Sequence, residues 1–173
     1  NGLTHNTIVF FVSDHGEYLG DHHRYGKGQP GYDCSARVPC LVKWPDHIQP
    51  GTQVTAVNEA VDVLPTILDI CGIPIPRSVQ GASFRAALEG DASHGKDCAI
   101  TECGSCTTIR TDTHRYVCYQ NGKEMLFDLD SDPGEYVDLS QSAEHTNVLS
   151  ELRHLMILKM QSTNLPKRRE WAY

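Results

Sequence analysis

The sequence predicts an α/β chain, and three observations carry that prediction. Ile8 to Val12 is an unbroken run of β-branched and aromatic residues. Such a run suits a strand buried on both faces, as in a parallel sheet covered by helices. Val61, Leu64, Ile67, Leu68 and Cys71 then recur at helical spacing. From residue 93 onward the composition shifts to short strand-like segments closed by an amphipathic stretch. This divides the chain into a core portion, 1–92, and a smaller antiparallel-sheet and helix portion, 93–173.

The first strand runs into Ser13-Asp14-His15-Gly16. Ligands in open α/β sheets gather beyond the carboxyl ends of strands, so a carboxylate and an imidazole there are placed to hold a metal. For the pair alone the plainer reading is a helix-capping Asp14 and an ordinary loop histidine. Asp21, His22 and His23 add ligand-type side chains a few positions on, and Lys27 sits between Gly26 and Gly28 as a mobile cation. Residues 17–37 thus form a long Gly-rich connection without an apolar period, which its histidines and lysine mark as functional. Asp33 and Arg37 read as a local ion pair fixing this loop.

Val38 to Pro45 is a second strand, ended by proline. Pro50-Gly51 marks a turn, and 54–57 reads as a short strand. The helical period over 58–70 stops at Gly72, with Asp62 as a helix-start or structural acid. A short helix follows over 84–88, then a polar linker over 90–96. Strands are expected over 98–102, 106–110, 115–120 and 124–128, with Asn121-Gly122 as a hairpin signal. A helix over 146–162 can cover one sheet face. Lys167-Arg168-Arg169 reads as a solvated basic cluster.

The 173 residues carry a net charge of −7, which gives no basic stripe for nucleic acid. No apolar run approaches the roughly 20 residues of a membrane helix, so neither nucleic acid nor membrane is an expected partner. The chain opens at Asn1, without methionine and almost directly into a strand. It therefore reads as part of a longer polypeptide whose leader is not legible here. Seven cysteines, an odd number and several in apparent strands and a helix, fit reduced buried thiols better than a disulfide framework. They lean towards a cytoplasmic setting, with periplasmic or secreted placement left open. Cys103-Gly-Ser-Cys106 has redox or zinc spacing, but neither a βαβ pattern nor a second close pair accompanies it.

SDHGEYLGDH, then YGKG, then Arg37-Val38-Pro39 closely resembles the second half of sulfatases, metal-dependent ester hydrolases of the alkaline phosphatase superfamily. Arg110-Thr111-Asp112, Tyr116, Leu126 to Leu129 and Asp132 to Glu135 resemble that family's C-terminal signature. The resemblance implies the C-terminal part of a sulfatase-like α/β sandwich. It implies Asp14 and His15 as two ligands of a divalent metal (Ca, Mn, Mg or Zn), and Lys27 as the group that binds a sulfate oxygen and assists the leaving group. It implies a His22 that either supports the metal ligands from behind or faces the substrate. The attacking group is expected to be a formylglycine made from C/S-x-P-x-R, which this sequence lacks, so it belongs to the missing N-terminal half. The implied substrate is a small-molecule or glycan sulfate ester. The family often has asparagine at the His15 position and then holds calcium. Imidazole suits Mn, Fe or Zn better, and the Asp-His version also occurs in relatives that cleave phosphonate and phosphate diesters. A non-catalytic domain that binds metal, anion or partner is the remaining alternative.

Overall fold

The computed structural model describes residues 2–91 and 94–163. It contains two sheets. β1 (Val9–Val12) pairs antiparallel with β2 (Cys40–Lys43), and β3 (Ala99–Cys103), β4 (Cys106–Arg110), β5 (His114–Tyr119) and β6 (Glu124–Asp128) form an antiparallel meander in that order. The helices are α1 (Asp33–Ala36), α2 (Val63–Ile70), α3 (Arg85–Leu88) and α4 (Thr146–Thr163). Among the described residues no helix is long and apolar enough to cross a membrane. The basic cluster at 167–169 lies outside the described residues.

The first strand departs from the parallel, doubly buried expectation. Its strand partner among the described residues is β2, in the register Phe10↔Val42 and Phe11↔Leu41. Register partners project to the same face. Phe10 and Val42 turn inward to Phe84, Ala87 and Leu88 beneath α2 and α3. Phe11 and Leu41 turn the other way and are 60% and 64% exposed. An apolar run states what a strand needs to bury, and here one face is met by the chain and the other is not.

The four-stranded sheet has apolar residues on both faces, and both are covered. Ile109, Tyr116 and Leu126 meet Leu149, Leu152 and Met156 of α4, which repeat at helical spacing. On the opposite face Cys106, Val117 and Phe127 meet Tyr18 and Tyr32 from the long connection between β1 and β2. The sheet is therefore the platform on which that connection rests.

Asp62 is fully buried and structural, as expected. It takes hydrogen bonds from the Glu59 and Ala82 amides, both at 2.8 Å, and from Lys96 Nζ at 2.6 Å. Glu59 in turn accepts from Lys159 of α4 at 2.8 Å and from the Ile100 amide at 2.9 Å. The expected strand over 54–57 reduces to one bridge, Val57 to Lys96. All seven cysteines are free; Cys40 and Cys71 are exposed, against the expectation of burial, and Cys98 and Cys106 are buried.

Candidate metal and anion site

The chain turns sharply as it leaves β1. Ser13 Oγ donates to the His15 carbonyl at 2.8 Å, and the His15 amide donates to Asp14 Oδ1 at 3.0 Å. Gly16 must be glycine, because a Cβ there would sit 2.2 Å from the Cys34 carbonyl oxygen. That close approach lets the Gly16 amide reach the Ser35 carbonyl at 2.8 Å, tying the turn to α1.

Lys27 is brought back to this turn by a closed loop. The Tyr18 amide donates to the Gly26 carbonyl at 3.0 Å, and Glu17 accepts from the Gly26 amide. Gly26 and Gly28 both have positive φ, so the chain reverses around Lys27. Tyr18, buried against the four-stranded sheet, donates its hydroxyl to the Gly28 and Gln29 carbonyls, both at 3.0 Å.

Asp14, His15 and Lys27 converge. His15 Nδ1 lies 2.7 Å from the Gly16 carbonyl, which can only accept, so Nδ1 carries the proton and Nε2 presents a lone pair. Lys27 Nζ is 2.7 Å from that Nε2, and Asp14 Oδ2 is 3.4 Å from it. The Asp14 side chain is 83% exposed. Its carboxyl is held below the usual range by backbone N–H groups of Asp14 and His15 and, in smaller part, by the Lys27 ammonium. A hard carboxylate oxygen and an imidazole lone pair facing the same space suit a divalent cation. Among the described residues no group of three or more His, Cys, Asp or Glu side chains could hold one.

His22 is placed elsewhere. Its ring stacks on Tyr32 at 3.7 Å between centroids with 8° between planes, and on Tyr136 at 4.8 Å and 27°. Burial lowers its pKa. It joins the loop to the turn after β6 rather than to Asp14, His15 or Lys27. His23 is exposed.

The ion pair read between Asp33 and Arg37 is the minor part of a larger cluster. Arg37 stands 3.8 Å from Asp33, while Arg110 Nε donates to Asp33 Oδ1 at 3.0 Å and Oδ2 at 3.3 Å. Arg115, 1% exposed, pairs with both Asp33 and Glu135 and donates to the Gly31 carbonyl at 2.7 Å. Glu135 also accepts from the Asp33 amide at 2.6 Å. Sequence reading placed Glu135 in the C-terminal signature and Arg115 at the start of a strand. The pairing that makes them anchors of the loop spans 82 and 102 positions and leaves no local signal.

A concavity of about 710 Å³ is lined by Thr4, His5, Trp44, His47 and neighbours. It lies beyond the carboxyl end of β2, at the opposite end of the two-stranded sheet from Asp14.

Comparison with known proteins bears on the family and the fold. Residues 20–162 match the model of the N-sulphoglucosamine sulphohydrolase C-terminal family. An arylsulfatase of Clostridium perfringens is 34% identical over 175 residues, covering 92% of this chain and 35% of the relative. The solved structure of BT4656 in complex with its substrate D-glucosamine-2-N,6-O-disulfate superposes with a TM-score of 0.88 at 26% identity, over 98% of this chain and 37% of that one. The phosphonate monoester hydrolase of Agrobacterium radiobacter gives 0.80 at 27%, over 93% and 36%. The chain spans about a third of the length of the relatives it matches.

Proposed function

On the premise that this chain belongs to the sulfatase family, matching its C-terminal portion, we propose that it is the part of a metal-dependent sulfatase that supplies two metal ligands and a sulfate-binding lysine. The observation that carries the reading is the convergence of Asp14 Oδ2 and Lys27 Nζ on His15 Nε2, at 3.4 and 2.7 Å. Asp14 and His15 would hold a divalent cation, and the imidazole favours Mn or Zn over Ca. When bound, that ion supplies Lewis acidity towards the sulfate oxygens. Lys27 grips a sulfate oxygen and meets the charge that builds as the ester bond breaks. Its ammonium has protons to give the departing oxygen, and its glycine neighbours let Nζ follow the reacting group. His22 acts through the loop: stacked between two tyrosines, it holds the segment that carries Lys27.

The nucleophile, a formylglycine, is assigned to the portion of the sulfatase that this chain does not cover. That portion is also the partner for the outward face of β1–β2, where Val9, Phe11 and Leu41 stand exposed. The substrate class is a sulfate ester of a small molecule or glycan. A second reading, a phosphonate or phosphodiester hydrolase, is favoured by His15 and by the similarity to the Agrobacterium enzyme.

The test is an assay of the full-length gene product on an aryl sulfate and on a phosphonate monoester. Preference for the sulfate supports the first reading, and preference for the phosphonate supports the second. Lys27→Ala should lower kcat/KM on the preferred ester by about 10²–10³-fold, as loss of one oxyanion donor does. Turnover of neither ester by the folded protein would leave a non-catalytic binding domain. Turnover by the 173-residue chain alone would overturn the division of labour.

A further inference from the structure

We propose that Cys103 and Cys106 are a modification site, a dithiol pair that closes to a disulfide by exchange with a low-molecular-weight disulfide. The two residues are direct register partners across the β3–β4 hairpin. Gly104, at φ +57, is the first residue of the two-residue turn, as a type II′ hairpin requires. Opposed residues in antiparallel strands point to the same face, with Cα atoms about 4.5–5.5 Å apart. A disulfide spans about 4.4–6.8 Å. Both thiols do share a face: Cys106 belongs to the apolar cluster of Tyr18, Tyr32, Val117 and Phe127, and Cys103 packs against it. Cys106 Sγ also donates to the Cys103 carbonyl at 3.4 Å, so it already leans across the turn.

The surroundings order the two steps. Cys103 is half-buried and Cys106 is buried, and burial pushes the Cys106 thiol up, with a smaller push from the neighbouring Cys103. Cys103, the more accessible, reacts first. Its thiolate attacks one sulfur of oxidised glutathione; that S–S bond breaks, one glutathione thiolate leaves, and a mixed disulfide remains on Cys103. Cys106 then gives its proton to solvent, and its sulfur attacks Cys103 Sγ and releases the second glutathione. Two protein thiols lose two electrons, and one glutathione disulfide becomes two thiols.

The pair lies beneath the loop that carries Lys27. A Cβ at Gly31 would sit 3.8 Å from Cys103 Sγ, and Ser105 donates to the Gln29 side chain at 3.1 Å. The spacing Cys-Gly-Ser-Cys suggested such chemistry in the sequence. The hairpin register, which no βαβ context was needed to create, is what sets the two cysteines opposite each other.

The test keeps the chain native in a buffer of reduced and oxidised glutathione. It is then quenched in acid, unfolded, alkylated and mapped by peptide mass spectrometry. The expected result is two alkylated thiols fewer than the seven present, with the bond joining Cys103 to Cys106. The bond should persist in Cys98→Ser, whose sulfur lies in the cluster on the other face of the sheet, and vanish in Cys103→Ser and Cys106→Ser. Four outcomes would overturn the proposal: full alkylation, glutathione retained on Cys103, a bond from Cys103 to Cys34, or closure only in the unfolded chain.

Discussion

The four-stranded sheet is covered on both faces, by α4 on one and by the Tyr18–Tyr32 connection on the other; the β1–β2 pair is covered on one. Ile109, Val117 and Leu126 are fully buried, while Val9, Phe11 and Leu41 of the two-stranded sheet look outward. The difference concerns the site directly. Asp14 and His15 follow the half-covered sheet, and Lys27 is fixed by contacts to the fully covered one. The candidate site is thus a seam, and its geometry depends on whatever clamps one sheet to the other.

The strongest clamp is the buried cluster around Arg115, so removing it should have the largest effect. Arg115→Met leaves the Asp33 and Glu135 carboxylates without their shared guanidinium in a dry setting. Breaking one side of a buried ion cluster costs about 3–5 kcal/mol. Urea denaturation should show a loss of that size, and a loss under about 1 kcal/mol would mean that the cluster is wetter than its geometry implies. The same variant should loosen the loop bearing Lys27, because Arg115 also holds the Gly31 carbonyl.

The comparison between the sheets can be drawn with a single residue type. Phe127→Ala in β6 removes a buried ring from the cluster with Tyr32 and should cost about 3–5 kcal/mol. Phe11→Ala in β1 removes a ring that is 60% exposed and should stay within about 0.5 kcal/mol. Denaturation midpoints of the two variants measure both. Equal losses would erase the distinction between the sheets. In a polypeptide that covers the outward face of β1–β2, the Phe11 effect should grow towards the Phe127 value.

How far the sequence reveals this architecture follows from the range of each interaction. The helical period ending at Gly72, the four short strands and α4 are written in local spacing, and each is found within a few residues of its expected place. Asp62 is legible as a structural acid because it sits at a helix start. The partners of Asp33 are not legible, since Arg110, Arg115 and Glu135 become its neighbours only once the meander folds. The pairing direction of β1 is hidden for a different reason: apolar content fixes burial demand, not strand order. At the site, Asp14 and Lys27 are suggested by motif resemblance. Their meeting at His15 depends on Tyr18 reaching Gly28, a contact that residue spacing does not report. His22 shows the limit of a motif: the histidine is where the pattern expects it, and the tyrosines that hold its ring come from later in the chain.

The smallest expected effect lies on the outer side of the covered sheet. Glu124 of β6 takes Arg153 Nε of α4 at 2.7 Å and also accepts from the Tyr116 hydroxyl. The Arg153 bond, more than the opposing effect of burial, holds the Glu124 carboxyl below its usual range. A carboxyl whose folded pKa is depressed adds stability above its unfolded value, near 4.5 for Glu124. It loses that contribution as pH falls through the lower folded value. Because Arg153 is 47% exposed, solvent screening limits the pair to about 0.5 kcal/mol. Arg153→Met should therefore lower stability by about that amount at neutral pH and by less in acid below the folded pKa. Raised salt should shrink the neutral-pH difference further. A loss that stayed constant from neutral pH into acid would assign the role of Arg153 to the packing of its stem on the sheet edge rather than to its charge.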